Sequence, residues 1–129
     1  MRIYVATKWE EATRAQAVMA LLRDRGHVIT YDWTVQEQES AQQAIADCEG
    51  VVSADLVILL LENPLLPYRG TWVELGIALA AQKPVLVFAP KSLPCLFLQH
   101  PLVRRVLTRE ALLDAVSRIA TAKIVSELV

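Results

Sequence analysis

The sequence has little cysteine, little glycine and no excess of charge of one sign. Its only cysteines, Cys48 and Cys95, show no CxxC spacing and lie near no histidine pair, so the pattern indicates neither a zinc site nor a disulfide framework. Lys and Arg number 13 against 14 acidic residues. This balance lacks the basic footprint of a polynucleotide-binding protein. Unpaired cysteines are typical of a reducing compartment, so we expect a cytoplasmic protein.

Long hydrophobic runs are also missing. The longest, Leu56–Leu61, is far shorter than the roughly 20 residues of a membrane-spanning helix. The N-terminal segment carries charge at Arg2 and Lys8, too early for a signal peptide. We therefore expect no membrane partner and no export signal. Hydrophobic residues still make up 54% of the chain, which favours one compact domain over residues 1–129.

Strand patterns and helix patterns alternate along the chain. Short apolar and β-branched runs predict five strands, at Arg2–Ala6, His27–Tyr31, Leu56–Leu61, Pro84–Phe88 and Val103–Leu107. Apolar residues at helical spacing predict helices between them, at Glu10–Arg25, around Ala41 to Val52, at Thr71–Gln82 and from Thr108 onward. This alternation predicts the α/β class, as a doubly wound, parallel, five-stranded sheet of flavodoxin-like or Rossmann-like order 2-1-3-4-5.

Ligands of such sheets bind beyond the carboxyl ends of the strands, and the segment Gly70–Gly76 lies at that edge. It places Glu74 in the first turn of a predicted helix, and two interpretations of Glu74 stay open. Thr71 followed three residues later by Glu74 has the spacing of a capping box, which only stabilises a helix start. Alternatively, the helix N-terminus keeps Glu74 ionised as a carboxylate that attacks or stabilises an electron-poor carbon.

Four segments of the chain together carry a family resemblance. They are Met1–Ala6, Asp47 with Ser53–Ile58, Gly70–Gly76 and Gln82–Val85. They resemble the nucleoside 2-deoxyribosyltransferase superfamily, which includes the 2'-deoxynucleoside 5'-monophosphate N-hydrolases. The resemblance covers the chain from Met1 to about Phe88, and the glycine-bounded segment that contains Glu74 is its most specific part.

The resemblance implies cleavage of an N-glycosidic bond in a nucleoside or nucleotide, without a cofactor or metal. Glu74 would be the nucleophile and would form a glycosyl-enzyme intermediate. Tyr4 would orient this nucleophile, and Asp47 would contact the sugar or pass a proton to the leaving base. A helix unbroken from Gln36 would put Asp47 about 16 Å from the ligand edge, so the segment before Asp47 must be partly non-helical. The resemblance also implies a homodimer or larger homo-oligomer.

Further residues at the same sheet edge are candidates for substrate binding. They are Thr7, Lys8, Trp9, Glu62, Asn63, Arg69, Gly70 and Thr71. Lys8 or Arg69 could contact a phosphate and Trp9 could stack on a base, although each could instead be an ordinary surface residue. Asn63 before a proline is also an ordinary turn residue. The apolar loop 65–68 predicts a pocket wall or a subunit contact.

Two departures from the family pattern bear on the activity. The loop that follows the first strand, Ala6–Glu10, has no glycine to cradle a phosphate. Tyr68 stands where the transferases carry an acid six residues before the nucleophile, which favours hydrolysis over base exchange. A noncatalytic nucleotide-binding or sensory domain of the same fold is the alternative. A cavity in front of Glu74, within reach of Tyr4, would favour the enzyme, whereas contacts with Thr71 alone would favour the binding domain.

Overall fold

The computed structural model describes residues 1–36, 38–65 and 67–128. One sheet contains the five strands β1 (Arg2–Ala6), β2 (Val28–Ile29), β3 (Leu56–Leu60), β4 (Val85–Phe88) and β5 (Val103–Val106). All neighbouring strands are parallel, and their order is β2-β1-β3-β4-β5. The predicted fold class and strand order are confirmed.

Four α-helices cover the two faces of the sheet. They are α1 (Ala12–Asp24), α2 (Ala41–Val52), α3 (Arg69–Ala80) and α4 (Arg109–Leu128), and short 3-10 turns lie at Trp9–Glu11, Trp33–Val35 and Leu96–Gln99. Helices α2 and α3 pack against each other on one face. Right-handed crossovers place α1 on the other face with α4, where the residues just after α1 and the second half of α4 line a common cavity.

The core lies along the central strands. Every residue of β3 and β4 is buried, as are the last four of β1. Such strands have no polar face because helices cover both sides of a parallel sheet, which explains their continuous apolar sequence. Each helical layer contributes apolar side chains to this core, including Leu22, Leu75 and Leu112. Among the described residues, no helix is long and apolar enough to cross a membrane.

The start of α2 agrees with the prediction, whereas the bounds of α3 and β2 differ from it. Helix α2 begins at Ala41, and Ser40 accepts a hydrogen bond at its side-chain oxygen from the Gln43 amide, at 3.1 Å. Asp47 therefore lies six residues into the helix, about 9 Å from its start. Helix α3 begins at Arg69, two residues earlier than predicted. The edge strand β2 contains only two residues, whereas five were predicted.

Candidate active site

Three side chains from three elements meet beside the cavity at the carboxyl edge of the sheet. Tyr4 of β1 is fully buried, and its hydroxyl lies between α2 and α3. This hydroxyl contacts Oε2 of Glu74 on α3 and lies 2.9 Å from Oδ1 of Asp47 on α2. The structure thus brings together the three residues that the family resemblance selects.

A glycine on α2 makes room for the Tyr4 ring. Gly50 is buried, and a Cβ atom at this position would lie 3.0 Å from Cδ2 of Tyr4 and 2.9 Å from Cβ of Tyr31. Gly50 and Asp47 are three residues apart and so share one side of the helix. The missing side chain lets the ring pass close to α2 and brings the phenol to Asp47.

Burial changes the proton affinity of all three groups. Burial, together with the negative charge of Asp47, raises the pKa of Glu74 from 4.5 to about 8, although the Tyr4 hydrogen bond opposes this shift. Burial also raises the pKa of Asp47, again against the Tyr4 hydrogen bond. The pKa of Tyr4 is raised far above its ordinary value by burial and by the two carboxyl groups. Tyr4 therefore stays a neutral phenol.

The contacts of the Tyr4 hydroxyl indicate how many protons Tyr4, Glu74 and Asp47 hold between them. A phenol has one proton and can donate it to only one carboxylate, so the second contact requires a protonated carboxyl group that donates to the phenol oxygen. Because the pKa of Glu74 is about 8, Glu74 holds this proton at neutral pH. With Glu74 protonated, the Tyr4 hydroxyl can donate its own proton to Asp47.

The capping-box interpretation of Glu74 is wrong. The residue before α3 is Tyr68, and Thr71 is the third residue of the helix. The Thr71 hydroxyl is buried and has no hydrogen-bond partner among the described residues. Glu74 lies in the second turn, so the helix N-terminus does not keep it ionised, and burial instead favours its neutral form.

A cavity of about 560 Å³ opens in front of the two carboxyl groups, a size typical of small-molecule sites. A neighbouring cavity of about 280 Å³ shares Trp9, Glu39 and Gln43 with it. Glu74 therefore faces a cavity within reach of Tyr4. The residues that line the larger of these two spaces are Thr7, Lys8, Trp9, Glu10, Trp33, Glu39, Gln43, Asp47, Pro67, Arg69, Gly70 and Glu74.

Five of the predicted substrate-binding residues line this cavity, but two of them have their polar groups engaged. The Thr7 hydroxyl donates to the Leu60 carbonyl oxygen at 2.7 Å. The Lys8 ammonium donates to the Asn63 carbonyl oxygen at 2.6 Å and lies 4.2 Å from the ring centroid of Tyr68. The other three, Trp9, Arg69 and Gly70, are exposed at the cavity rim.

The other three predicted substrate-binding residues, Glu62, Asn63 and Thr71, lie outside the cavity lining. Glu62 pairs with Arg14 of α1 at 3.0 Å. The Asn63 side chain donates to Glu11 at 3.1 Å and accepts a hydrogen bond from the Leu65 amide. These contacts tie the loop between β3 and α3 to α1 and to the 3-10 turn before it, and the prediction that Glu62 and Asn63 bind substrate stays a prediction.

The residues of the apolar loop after β3 lie in different environments. Pro67 lines the cavity, as predicted for a pocket wall, whereas Leu65 is 87% exposed. Tyr68 is buried, and its hydroxyl accepts the Asn63 amide at 3.0 Å. Leu66 lies outside the described residues.

Sequence reasoning missed four residues of the cavity lining, namely Glu10, Trp33, Glu39 and Gln43. The sequence spacing could have indicated one of them. Gln43 precedes Asp47 by four residues, which places both on the same side of a helix. Its side-chain oxygen is buried and has no hydrogen-bond partner among the described residues, so it can accept a hydrogen bond from a ligand.

A larger cavity, of about 770 Å³, lies at the opposite edge of the sheet. It is lined by Met1, His27 and the second half of α4. It contains neither member of the carboxyl pair, and parallel α/β sheets bind ligands at the other edge. We therefore assign the candidate active site to the smaller cavity beside Tyr4. No group of three or more potential metal ligands occurs among the described residues.

Comparisons with known proteins identify the fold and the family. The CMP N-glycosidase of Clostridium botulinum superposes with a TM-score of 0.63 at 19% identity, covering 91% of this chain and 99% of that one. The 2-deoxyribosyltransferase of Bacillus psychrosaccharolyticus gives 0.67 at 21% identity, covering 87% and 90%. The enzyme of the same name from Leishmania mexicana gives 0.55 at 21% identity, covering 72% and 67%.

These structural similarities show the fold. A search of curated protein sequences found no significant match. The family model for nucleoside 2-deoxyribosyltransferase, in contrast, matches residues 3–115, which is most of the chain. The protein is therefore an enzyme that belongs to the nucleoside 2-deoxyribosyltransferase family.

Proposed function

We propose that this enzyme hydrolyses the N-glycosidic bond of a nucleoside, with Glu74 as the nucleophile. The observation that carries the proposal is the Tyr4 hydroxyl, which joins Glu74 and Asp47 beside a cavity of about 560 Å³. Family membership supports the type of bond, because N-glycosidases and 2-deoxyribosyltransferases both break the bond between a sugar and a base.

The three groups can prepare the reaction by moving two protons. In the resting state Glu74 is protonated and Asp47 is ionised. When the Glu74 proton moves to the Tyr4 oxygen and the Tyr4 proton moves to Asp47, Glu74 becomes a carboxylate and Asp47 becomes an acid. The total charge does not change, which suits a buried site. One relay thus produces a nucleophile and a general acid together.

The first chemical step then follows. Glu74 attacks the anomeric carbon C1' while the bond from C1' to the base nitrogen breaks. The electron pair of that bond leaves with the base, which takes the proton from Asp47. The carboxylate stabilises the positive charge that develops on the sugar before it bonds to C1'. The products of this step are the free base and a glycosyl ester of Glu74.

Water completes the reaction in the second step. Asp47, now ionised, takes a proton from water as its oxygen attacks C1', and Glu74 leaves as a carboxylate. Tyr68 supports water over a second base as the acceptor, because this residue replaces the acid of the transferases. Its hydroxyl is buried against the Asn63 amide and offers no carboxylate to position an incoming base.

The charges around the cavity favour a nucleoside over its 5'-monophosphate. Among the described lining residues, Glu10 and Glu39 add two carboxylates to the catalytic pair, whereas Lys8 and Arg69 are the only cations. The Lys8 ammonium is already bound to the Asn63 carbonyl oxygen. A dianionic phosphate would therefore meet mainly negative charge in a partly enclosed space.

The test is chromatographic detection of free base after incubation with a panel of ribonucleosides, deoxyribonucleosides and their 5'-monophosphates. We expect release from a nucleoside, less release from its monophosphate, and at least about 10³-fold slower release by Glu74→Ala. Glu110→Ala, an exposed change on α4, should match the wild type. A second base added in parallel should not be incorporated.

The outcomes separate the parts of the proposal. Unchanged base release by Glu74→Ala would remove the nucleophile role. Faster release from the monophosphates would overturn the substrate preference and leave the bond cleavage intact. If the folded wild type releases no base from any substrate, the noncatalytic binding domain becomes the better interpretation.

A further inference from the structure

One side chain of the candidate active site has an unsatisfied hydrogen-bond acceptor. Among the described residues, three buried side-chain oxygens lack a hydrogen-bond partner, and they belong to Gln43, Glu62 and Thr71. Of these three residues, Gln43 alone lines the cavity. A buried oxygen without a hydrogen bond destabilises a folded protein, and a bound ligand that donates a hydrogen bond removes this penalty. Gln43 is therefore suited to receive a donor group of a ligand.

The position of Gln43 on α2 is fixed relative to Asp47. The backbone amide of Gln43 donates to the side-chain oxygen of Ser40, which caps the helix, at 3.1 Å. Four residues separate Gln43 from Asp47, so the two side chains lie on the same side of α2 with Cβ atoms about 5–6 Å apart. Helix α2 follows β2 in a parallel sheet, so its first turn lies at the carboxyl edge. Gln43 is thus one turn nearer to this open edge than Asp47.

Gln43 also lies where two cavities meet. The larger cavity contains Asp47 and Glu74, and the smaller one shares Trp9, Glu39 and Gln43 with it. When the C1' atom of a nucleoside lies at Glu74, its base extends past Asp47 towards these shared residues. Trp9 is 56% exposed and offers an aromatic face on which a base can stack. Gln43 then lies within reach of the polar edge of the base.

The smaller cavity favours a ligand group that donates hydrogen bonds. Its described lining residues are Trp9, Gln36, Gln38, Glu39 and Gln43, none of which carries a positive charge. The Glu39 carboxylate can only accept hydrogen bonds. The amide of Gln43 can turn and donate instead, but the carbonyl oxygen that accepted this bond would lie in a cavity that Glu39 makes negative. An amino group on the ligand suits both residues better.

We propose that Gln43 selects the base of the substrate by accepting a hydrogen bond from its exocyclic amino group. Nucleosides of cytosine or adenine are then preferred over those of uracil or hypoxanthine, which carry a carbonyl oxygen at the same position. The inference rests on the proposed function, because it takes the base to be the group that leaves beside Asp47. It adds the substrate class and the residue that recognises it.

Two pairs of nucleosides that differ at this position test the inference. They are cytidine against uridine and adenosine against inosine, each as the ribonucleoside and the 2'-deoxyribonucleoside. The measured quantity is the ratio of kcat/KM for the amino member to kcat/KM for the carbonyl member. Because the bases also differ in how easily they leave, the wild-type ratio is compared with the ratio of each variant, and the intrinsic reactivity cancels.

We expect Gln43→Met to lower this ratio at least about tenfold, because methionine has a similar length and no strong acceptor for the amino group. Glu39→Gln should lower it by about two- to fivefold, since Glu39 is exposed and water screens its charge. Gln42→Met is the matched control, because Gln42 is the neighbouring residue on α2 and is exposed. It should keep the wild-type ratio.

The helix should survive these changes. Methionine and glutamine have similar helix propensities, and circular dichroism can check that α2 is retained. Should Gln43→Met fail to fold, Gln43→Ala replaces it, with the same expected fall in the ratio.

Equilibrium binding separates this inference from the proposed function. Calorimetric titration gives the Kd of each nucleoside for Glu74→Ala, which cannot form the glycosyl ester, and for a variant that combines Glu74→Ala with Gln43→Met. We expect Glu74→Ala to bind the amino member of each pair at least about tenfold more tightly, and the double variant to lose this preference. Such a preference, in a protein whose wild type releases no base, would support the role of Gln43 and contradict the proposed function.

Three results would overturn the inference: a kcat/KM ratio that Gln43→Met leaves unchanged, a ratio that Gln42→Met lowers as much, or equal Kd values for the two members of each pair in Glu74→Ala. Base release without this discrimination would leave the bond cleavage and the role of Glu74 intact and remove only the role of Gln43. If no nucleoside of the two pairs binds or reacts, both the inference and the proposed function are wrong.

Discussion

Tyr4 is the residue that makes two similar carboxyl groups chemically different. Both carboxyl groups touch the same phenol, but Glu74 is the more deeply enclosed, and its pKa is raised to about 8. The pKa of Asp47 is raised as well, through burial. Because a charge on one group raises the pKa of the other, the pair titrates as a unit and holds a single proton over the neutral range.

This shared proton predicts a bell-shaped dependence of kcat on pH. At low pH both carboxyl groups are protonated and no nucleophile is present. Above about pH 8, the pKa of Glu74, the pair loses its remaining proton and no acid is left for the base. Asp47→Asn removes the acid and the negative charge that raises the Glu74 pKa. We expect its kcat to fall by about 10²–10⁴-fold and to rise with pH to a plateau, without the alkaline decline.

The measurement is kcat against pH for the wild type and for Asp47→Asn, with a nucleoside whose base is a poor leaving group and one whose base is a good leaving group. The good leaving group needs less protonation, so it should recover much of the lost rate in the variant. Asp114→Asn, exposed on α4, should keep the wild-type profile. An alkaline decline that persists in Asp47→Asn would show that the proton comes from elsewhere.

At the scale of elements, strand order and strand positions could be predicted from the sequence, because apolar runs of four to six residues dominate them. The catalytic use of Asp47 could not be settled this way. It depends on the start of α2, which a single hydrogen bond to Ser40 decides. The spacing of Thr71 and Glu74 wrongly predicted a capping box for a related reason. Helix α3 begins two residues earlier than predicted. Glu74 therefore lies in the second turn, where it faces Tyr4, and not in the first turn.

The contact between α2 and β1 gives a prediction for Gly50. In Gly50→Ala the new Cβ would lie 2.9 Å from Cβ of Tyr31, closer than such atoms approach in real structures, and 3.0 and 3.1 Å from two atoms of the Tyr4 ring, which is a tight contact. Either α2 moves outward or the Tyr4 ring shifts, and both changes lengthen the contacts of its hydroxyl. We expect a loss of about 1–3 kcal/mol in stability and a fall of about 10²-fold in kcat.

Thermal unfolding and steady-state kinetics check this prediction. Gln42→Ala, an exposed change on the same helix, should leave both quantities unchanged. Substrate KM should change less than kcat in Gly50→Ala, because the cavity lining does not include Gly50. Wild-type kcat in Gly50→Ala would mean that the position of the Tyr4 hydroxyl does not limit the reaction.

For the whole molecule, the protonated Glu74 links the reaction to stability. The unfolded chain ionises Glu74 near its ordinary pKa of 4.5, whereas the folded chain holds the proton up to about pH 8. Between these values the unfolded state binds fewer protons, so this residue makes the folded state less stable as pH rises. Below 4.5 both states are protonated and the effect is absent, and above 8 both are ionised and the effect is complete.

Glu74→Gln should therefore stabilise the protein in a pH-dependent way. The amide keeps the shape of the protonated acid and cannot ionise. One pKa unit corresponds to about 1.4 kcal/mol, and partial solvent access reduces the full effect, so we expect a gain of about 1–3 kcal/mol near pH 9 and almost none near pH 5. Urea unfolding of both proteins at a series of pH values gives the difference, in which the other titrating groups cancel. Glu110→Gln, exposed on α4, should show no such trend. A difference in unfolding free energy between wild type and Glu74→Gln that stays constant with pH would mean that folding does not change the pKa of Glu74. Glu74 would then be ionised at neutral pH, and the resting state proposed for the relay through Tyr4 would be wrong.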